Sequence, residues 1–133
     1  MISDFASLLK AAQSQPTAQR LLMVFVNSEL PDDATPEQRQ DFEAGHGGAL
    51  VPSVCVDKAL SELTTFEALV QESMQTGAEW VLVFVAALSG NGHKTPTTDD
   101  AQEPLLKMED NVRRGEIGTY IPFDRHGQAV QFG

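Results

Sequence analysis

The stretch best equipped for chemistry is Ser89-Gly90-Asn91-Gly92-His93-Lys94-Thr95. Glycines let backbone N–H groups close on phosphate oxygens, lysine adds charge, and a following hydroxyl can hold magnesium. The phosphate loop, however, needs G-x-x-x-x-G-K-[ST], with lysine directly after glycine. Here His93 intervenes and the two glycines stand too close, so a plain glycine-rich turn competes with phosphate binding. The three histidines, His46, His93 and His126, all lie in glycine-flanked connectors. A metal site would have to be assembled in space from His46 or His93 with Asp32, Asp33, Asp99 or Asp100. No local ligand pattern calls for one, and neither a metal nor a cofactor is expected. Cys55 has apolar neighbours and suits packing better than nucleophilic attack. Ser28 and Ser89 follow apolar runs without the G-x-S-x-G elbow. Asp57 and Asp124 offer paired carboxylates, but turn N–H groups or Lys58 and Arg125 can absorb them.

Two apolar runs must position these residues, Leu21–Val26 (LLMVFV) and Trp80–Leu88 (WVLVFVAAL). Continuous apolar runs suit strands covered on both faces. The first is preceded by a helix over 3–15, with Phe5, Leu8, Leu9 and Ala12 on one face and Ser3 or Asp4 as cap. Thr35-Pro36 opens a short polar helix. Ala49–Val56 is a strand whose Pro52 requires an edge or a bulge. A third helix over 65–76 presents Phe66, Leu69, Val70 and Met74 and closes at Gly77. A fourth, over 99–114, presents Ala101, Leu105, Met108 and Val112, with Pro104 hinting at a later start. Gly118–Phe123 is the last full strand, and 128–132 a short hairpin partner.

The halves about 3–58 and 64–125 both run α-β-loop-α-β. Phe5 and Leu8 match Phe66 and Leu69, Val24-Phe25-Val26 matches Val83-Phe84-Val85, and Thr35-Pro36 matches Thr95-Pro96. The expectation is therefore an α/β fold over residues 1–133, a single domain of two similar halves around a mixed sheet. Loops 27–35 and 89–95 would leave equivalent strand ends, where open α/β sheets bind ligands. The candidate ligand residues are Asn27, Ser28, Asp32, Asp33, Ser89, Gly90, Asn91, Gly92, His93 and Lys94.

Hydrophobic residues make up 41% and charged residues 21%, which excludes a disordered chain. The net charge of −10, from 19 acidic and 9 basic residues, disfavours nucleic acid and anionic membranes. No apolar run approaches the ~20 residues of a membrane span, and the N-terminus lacks the features of a signal peptide. The single cysteine, Cys55, excludes an intramolecular disulfide. A cytoplasmic location follows.

Phe66–Leu69 (F-x-A-L), Val83–Gly90 (VFVAALSG), Gly115–Gly118 (G-x-I-G), Phe123–Gly127 (FDR-x-G) and Leu30–Arg39 (LPDDATPEQR) together resemble a family of small proteobacterial proteins. The resemblance covers nearly the whole chain. Members often carry the label "ribonucleotide reductase subunit alpha", but the family supplies no catalytic residue to carry over. A fainter similarity, in layout only, is to the N-terminal domain of SseB-type proteins. The expected function is non-catalytic: an acidic binding or interaction protein with a protein partner or small ligand. The alternative is a small-molecule or nucleotide-binding protein using loops 27–35 and 89–95. A homo-oligomer joined at the proline-bearing strands is a third expectation.

Overall fold

The computed structural model describes residues 2–29, 35–43, 49–63, 65–77, 79–91 and 94–130. The elements are α1 (Phe5–Gln13), β1 (Gln19–Glu29), α2 (Pro36–Glu43), β2 (Ala49–Ala59), α3 (Phe66–Gln75), β3 (Leu82–Ser89), α4 (Thr98–Arg113) and β4 (Ile121–Phe123). A 3-10 turn, Leu60–Glu62, joins β2 to α3. The expected helix caps form. Asp4 accepts from the Ser7 N–H at 2.8 Å, and Thr35 from that of Gln38 at 3.2 Å. Thr97 caps α4 in a box with Asp100. That box starts the helix at Thr98 and carries Pro104 inside it, correcting the later start that Pro104 suggested.

The sheet is antiparallel throughout, in the order β2-β1-β3-β4, where a mixed sheet was expected. The cause is the path of the chain. β2 ends beside Arg20, and α3 then carries the chain back along the sheet. Val81 accordingly donates its N–H to the Val26 carbonyl at 2.8 Å. Entering from that end, β3 must run against β1. Pro52 is accommodated as foreseen: β2 is an edge strand, with a register shift opposite Phe25/Val26.

β1 is buried on two faces from Gln19 to Val26, and β3 over Val83–Val85. Leu21, Met23 and Phe25 of β1 join Val83 and Val85 of β3 in a core with α1, α3, Trp80 and Phe123. Leu22, Val24 and Val26 join Phe84 in a second core under Ala101, Met108 and Val112 of α4. Phe25 and Phe84 thus point to opposite faces. The two Val-Phe-Val triplets, matched by sequence, are not equivalent in the sheet, although the order α-β-α-β occurs twice. The last strand is also shorter than expected. Tyr120 turns back, donating its N–H to the Ile117 carbonyl at 3.2 Å, and only Ile121–Phe123 pairs with β3. Beyond it, Ala129 makes an isolated bridge to Phe123, and residues 131–133 lie outside the described residues.

Candidate functional site

The register separates the two loops that were expected to meet. Ser89 lies opposite Gln19, whereas Asn27 and Ser28 lie within β1, opposite Val51 and Leu50 at the far end. Eight strand steps from Gln19 to Asn27, roughly 26 Å at ~3.3 Å each, divide the two ends. Asp32, Asp33, Gly92 and His93, like His46, lie outside the described residues. Ser89, Gly90, Asn91 and Lys94 do line one hollow of about 430 Å³, together with Thr95–Thr97 and Asp100. Its glycine serves the chain itself. A Cβ on Gly90 would collide with the Lys94 carbonyl, and the Lys94 N–H already bonds the Asn91 carbonyl at 3.0 Å. Asp100 adds negative charge at the wall, and the Thr97 N–H holds its carboxyl below the ordinary value. Among the described residues of this loop, the Gly90 and Lys94 backbone is closed on the chain itself.

What fastens this end of the sheet is Arg20, which the sequence reading passed over. It is only 9% exposed. Its Nε donates to Asp57 Oδ2 at 2.6 Å, Nη2 to Thr98 Oγ1 at 2.8 Å and Nη1 to the Pro96 carbonyl at 3.4 Å. The available signal was a lone cation at the head of an apolar strand, where an acid must lie nearby. Asp57 therefore pairs with Arg20 rather than Lys58, whose ammonium meets Glu72 at 2.6 Å.

Cys55 faces α4, and its Sγ donates to Glu109 Oε2 at 3.2 Å. Burial first, then the Glu109 carboxylate, pushes the thiol from its ordinary 9.0 up to about 12. Arg113 first, then Cys55, holds the Glu109 carboxyl below its usual range. This is the reverse of an activated nucleophile. At about pH 8, alkylation of Cys55 by iodoacetamide is expected to run at least ~100-fold slower than that of free cysteine; a rate within about tenfold would contradict the arrangement. The folded thiol keeps its proton longer than the unfolded one. The associated stability is thus present below about pH 9 and is lost as pH climbs towards about 12.

At the opposite end of the sheet, α3 and the turn after β4 enclose an open groove of about 400 Å³. Phe66, Glu67, Val70, Gln71 and Met74 of α3, with Thr65, line one side, and Arg125 and His126 the other. Helical spacing had turned Met74 inward, but it is 61% exposed. The inward place belongs to Ser73, whose Oγ accepts the Trp80 Nε1–H at 2.8 Å. The Arg125 guanidinium lies over the Trp80 ring, 5.0 Å from its centroid, and Nη1 reaches the Trp80 carbonyl at 3.4 Å. Asp124 is occupied in the turn, accepting the N–H groups of His126 at 2.8 Å and Gln128 at 3.1 Å. Arg125 makes no ion pair with any described residue.

Among the described residues, no group of three or more His, Cys, Asp and Glu side chains could hold a metal. None of their helices is long and apolar enough to cross a membrane. These features define an antiparallel α/β protein with two cores and an exposed groove built on an arginine–tryptophan pair. Comparison with protein-family models, curated proteins and solved structures returned no match.

Proposed function

We propose that this chain is a non-catalytic interaction protein that docks a partner through the α3 groove. The supporting observation is Arg125, a guanidinium with no ion pair among the described residues of a chain of net charge −10, held on Trp80 beside the exposed Met74. Arginine, tryptophan and methionine are the residues enriched where protein partners bind most tightly. The groove is open, so it suits a partner's side chains better than a small ligand, most of whose surface a pocket normally encloses. The fitting partner presents a carboxylate to Arg125 and an apolar side chain to Val70 and Met74. The acidic surface speaks against nucleic acid as that partner, and the single cysteine supports a cytoplasmic setting. The doubled α-β-α-β order supports an origin by duplication, with the two halves out of step by one strand residue.

Selection of a random displayed peptide library on the purified protein tests the proposal. Enriched sequences are expected to pair Asp or Glu with a bulky apolar residue. Their affinity is expected to fall at least ~10-fold on Arg125→Glu and on Met74→Asp. Enrichment without acidic bias, or equal binding to both variants, sinks it.

A further inference from the structure

We propose that the outer edge of β3 beyond β4 is a second docking site, and that it takes one extended peptide segment of a partner protein as an added strand. The inference does not depend on the α3 groove. In the antiparallel ladder, alternate residues turn their N–H and C=O to opposite sides. Val26 and Ala18 both accept from the β3 side, through the N–H groups of Val81 and Gly90. Even-numbered β1 residues therefore bond β3, and their partners Leu82, Phe84, Ala86 and Leu88 bond back. Val83, Val85 and Ala87 turn outward. Phe123 and Ile121 meet the first two, and β4 then ends. Among the described residues, the backbone groups of Ala87 have no strand beside them.

Space is present where that strand would lie. A groove of about 530 Å³ runs along Val85–Ala87 and Ser89, walled by Leu8 and Ala11 of α1, by Gln15 just beyond it, and by Thr119–Ile121. No charged side chain among the described residues lines it, and unpaired edge amides ask for an extended backbone. The other open edge, on β2, carries the devices that discourage pairing: Pro52, a register break and the charged pair Asp57-Lys58. Ala86-Ala87-Leu88-Ser89 has none of them. The edge lies between a helix and a loop, so a single strand enters where a second copy, bringing its own helices, is obstructed. Ala87 shares its face with Val83 and Val85, the face of α1. The guest residue opposite Ala87 therefore drops its side chain toward Leu8 and Ala12, and an apolar residue fits there.

The test combines amide exchange with peptide selection on the Arg125→Glu protein, so that the α3 groove cannot contribute. In the free protein, the Ala87 amide is expected to exchange at least ~100-fold faster than those of Ala86 and Leu88. Selected peptides are expected to slow it and to shift resonances of Leu8–Gln15 and Val85–Ser89. They are expected to lose at least ~10-fold in affinity when N-methylated opposite Ala87, and to fail on Ala87→Pro. Should Ala87→Pro not fold, Ala11→Phe fills the groove and serves instead. Protection of Ala87 in the free protein overturns the proposal, as does protection that grows with protein concentration, the mark of a second copy. Failure to enrich peptides, or peptides indifferent to both variants, does so too.

Discussion

Arg20→Ala is expected to destabilise the fold by about 3–5 kcal/mol, read as a lower urea midpoint at unchanged slope. The magnitude follows from what the substitution leaves behind. The Asp57 side chain is only 16% exposed, and once Arg20 is gone Thr98 Oγ1, at 3.0 Å, is the one side chain among the described residues still bonded to it. A carboxylate stranded this way costs far more than the ion pair itself contributes. The same argument gives the control. Arg20→Met combined with Asp57→Leu removes both charges and is expected to recover most of the loss. An exposed pair would cost about 1 kcal/mol or less and fade in salt; here the loss is expected to persist at high ionic strength. Arg20 also ties the Pro96 carbonyl and Thr98 to the sheet, so the start of α4 is expected to exchange its amides faster in Arg20→Ala. A loss below about 1 kcal/mol would reduce the network to a surface pair.

The sequence made the two central strands plain because LLMVFV and WVLVFV are apolar at every position, which burial on both faces explains for Leu21–Val26 and Val83–Val85, though Val81 is exposed. It could not give their direction. Apolarity at every position reports cover on both sides, and an antiparallel strand between α1, α3 and α4 looks the same as a parallel one. That gap put loops 27–35 and 89–95 at one end of the sheet in expectation, since equivalent strand ends face the same way only when the strands do. The same blindness to faces paired Phe25 with Phe84, which point apart. Caps and stops were legible at Asp4, Thr35 and Gly77 because each is settled by chemistry within one helical turn. Met74 was misread because Ser73 is polar by type but inward by role, wanted there by the Trp80 indole N–H. Arg125 on Trp80 joins residues distant in sequence, and no local pattern announces it.

Trp80→Ala is expected to act on both the fold and the docking groove, and to separate them. Trp80 is 2% exposed, with ring centroids 4.9 Å from Phe25 and 6.4 Å from Phe66. Emptying that position costs about 3–5 kcal/mol, partly through the cavity left between α3 and the sheet. Trp80→Phe refills most of the volume and is expected to recover more than half of the loss. It still lacks the Nε1–H that Ser73 Oγ accepts, although Ser73 keeps its own bond to the Val70 carbonyl at 2.6 Å. For the groove the ranking rests on the platform under Arg125. Alanine removes the ring that holds the guanidinium, while phenylalanine offers a weaker one. Acidic–apolar peptides are therefore expected to bind Trp80→Ala at least ~10-fold more weakly than wild type at a temperature where both are folded, with Trp80→Phe between them. If peptide affinity instead ignores the ring while stability follows it, Trp80 serves the core alone, and Arg125 is placed by the 124–127 turn.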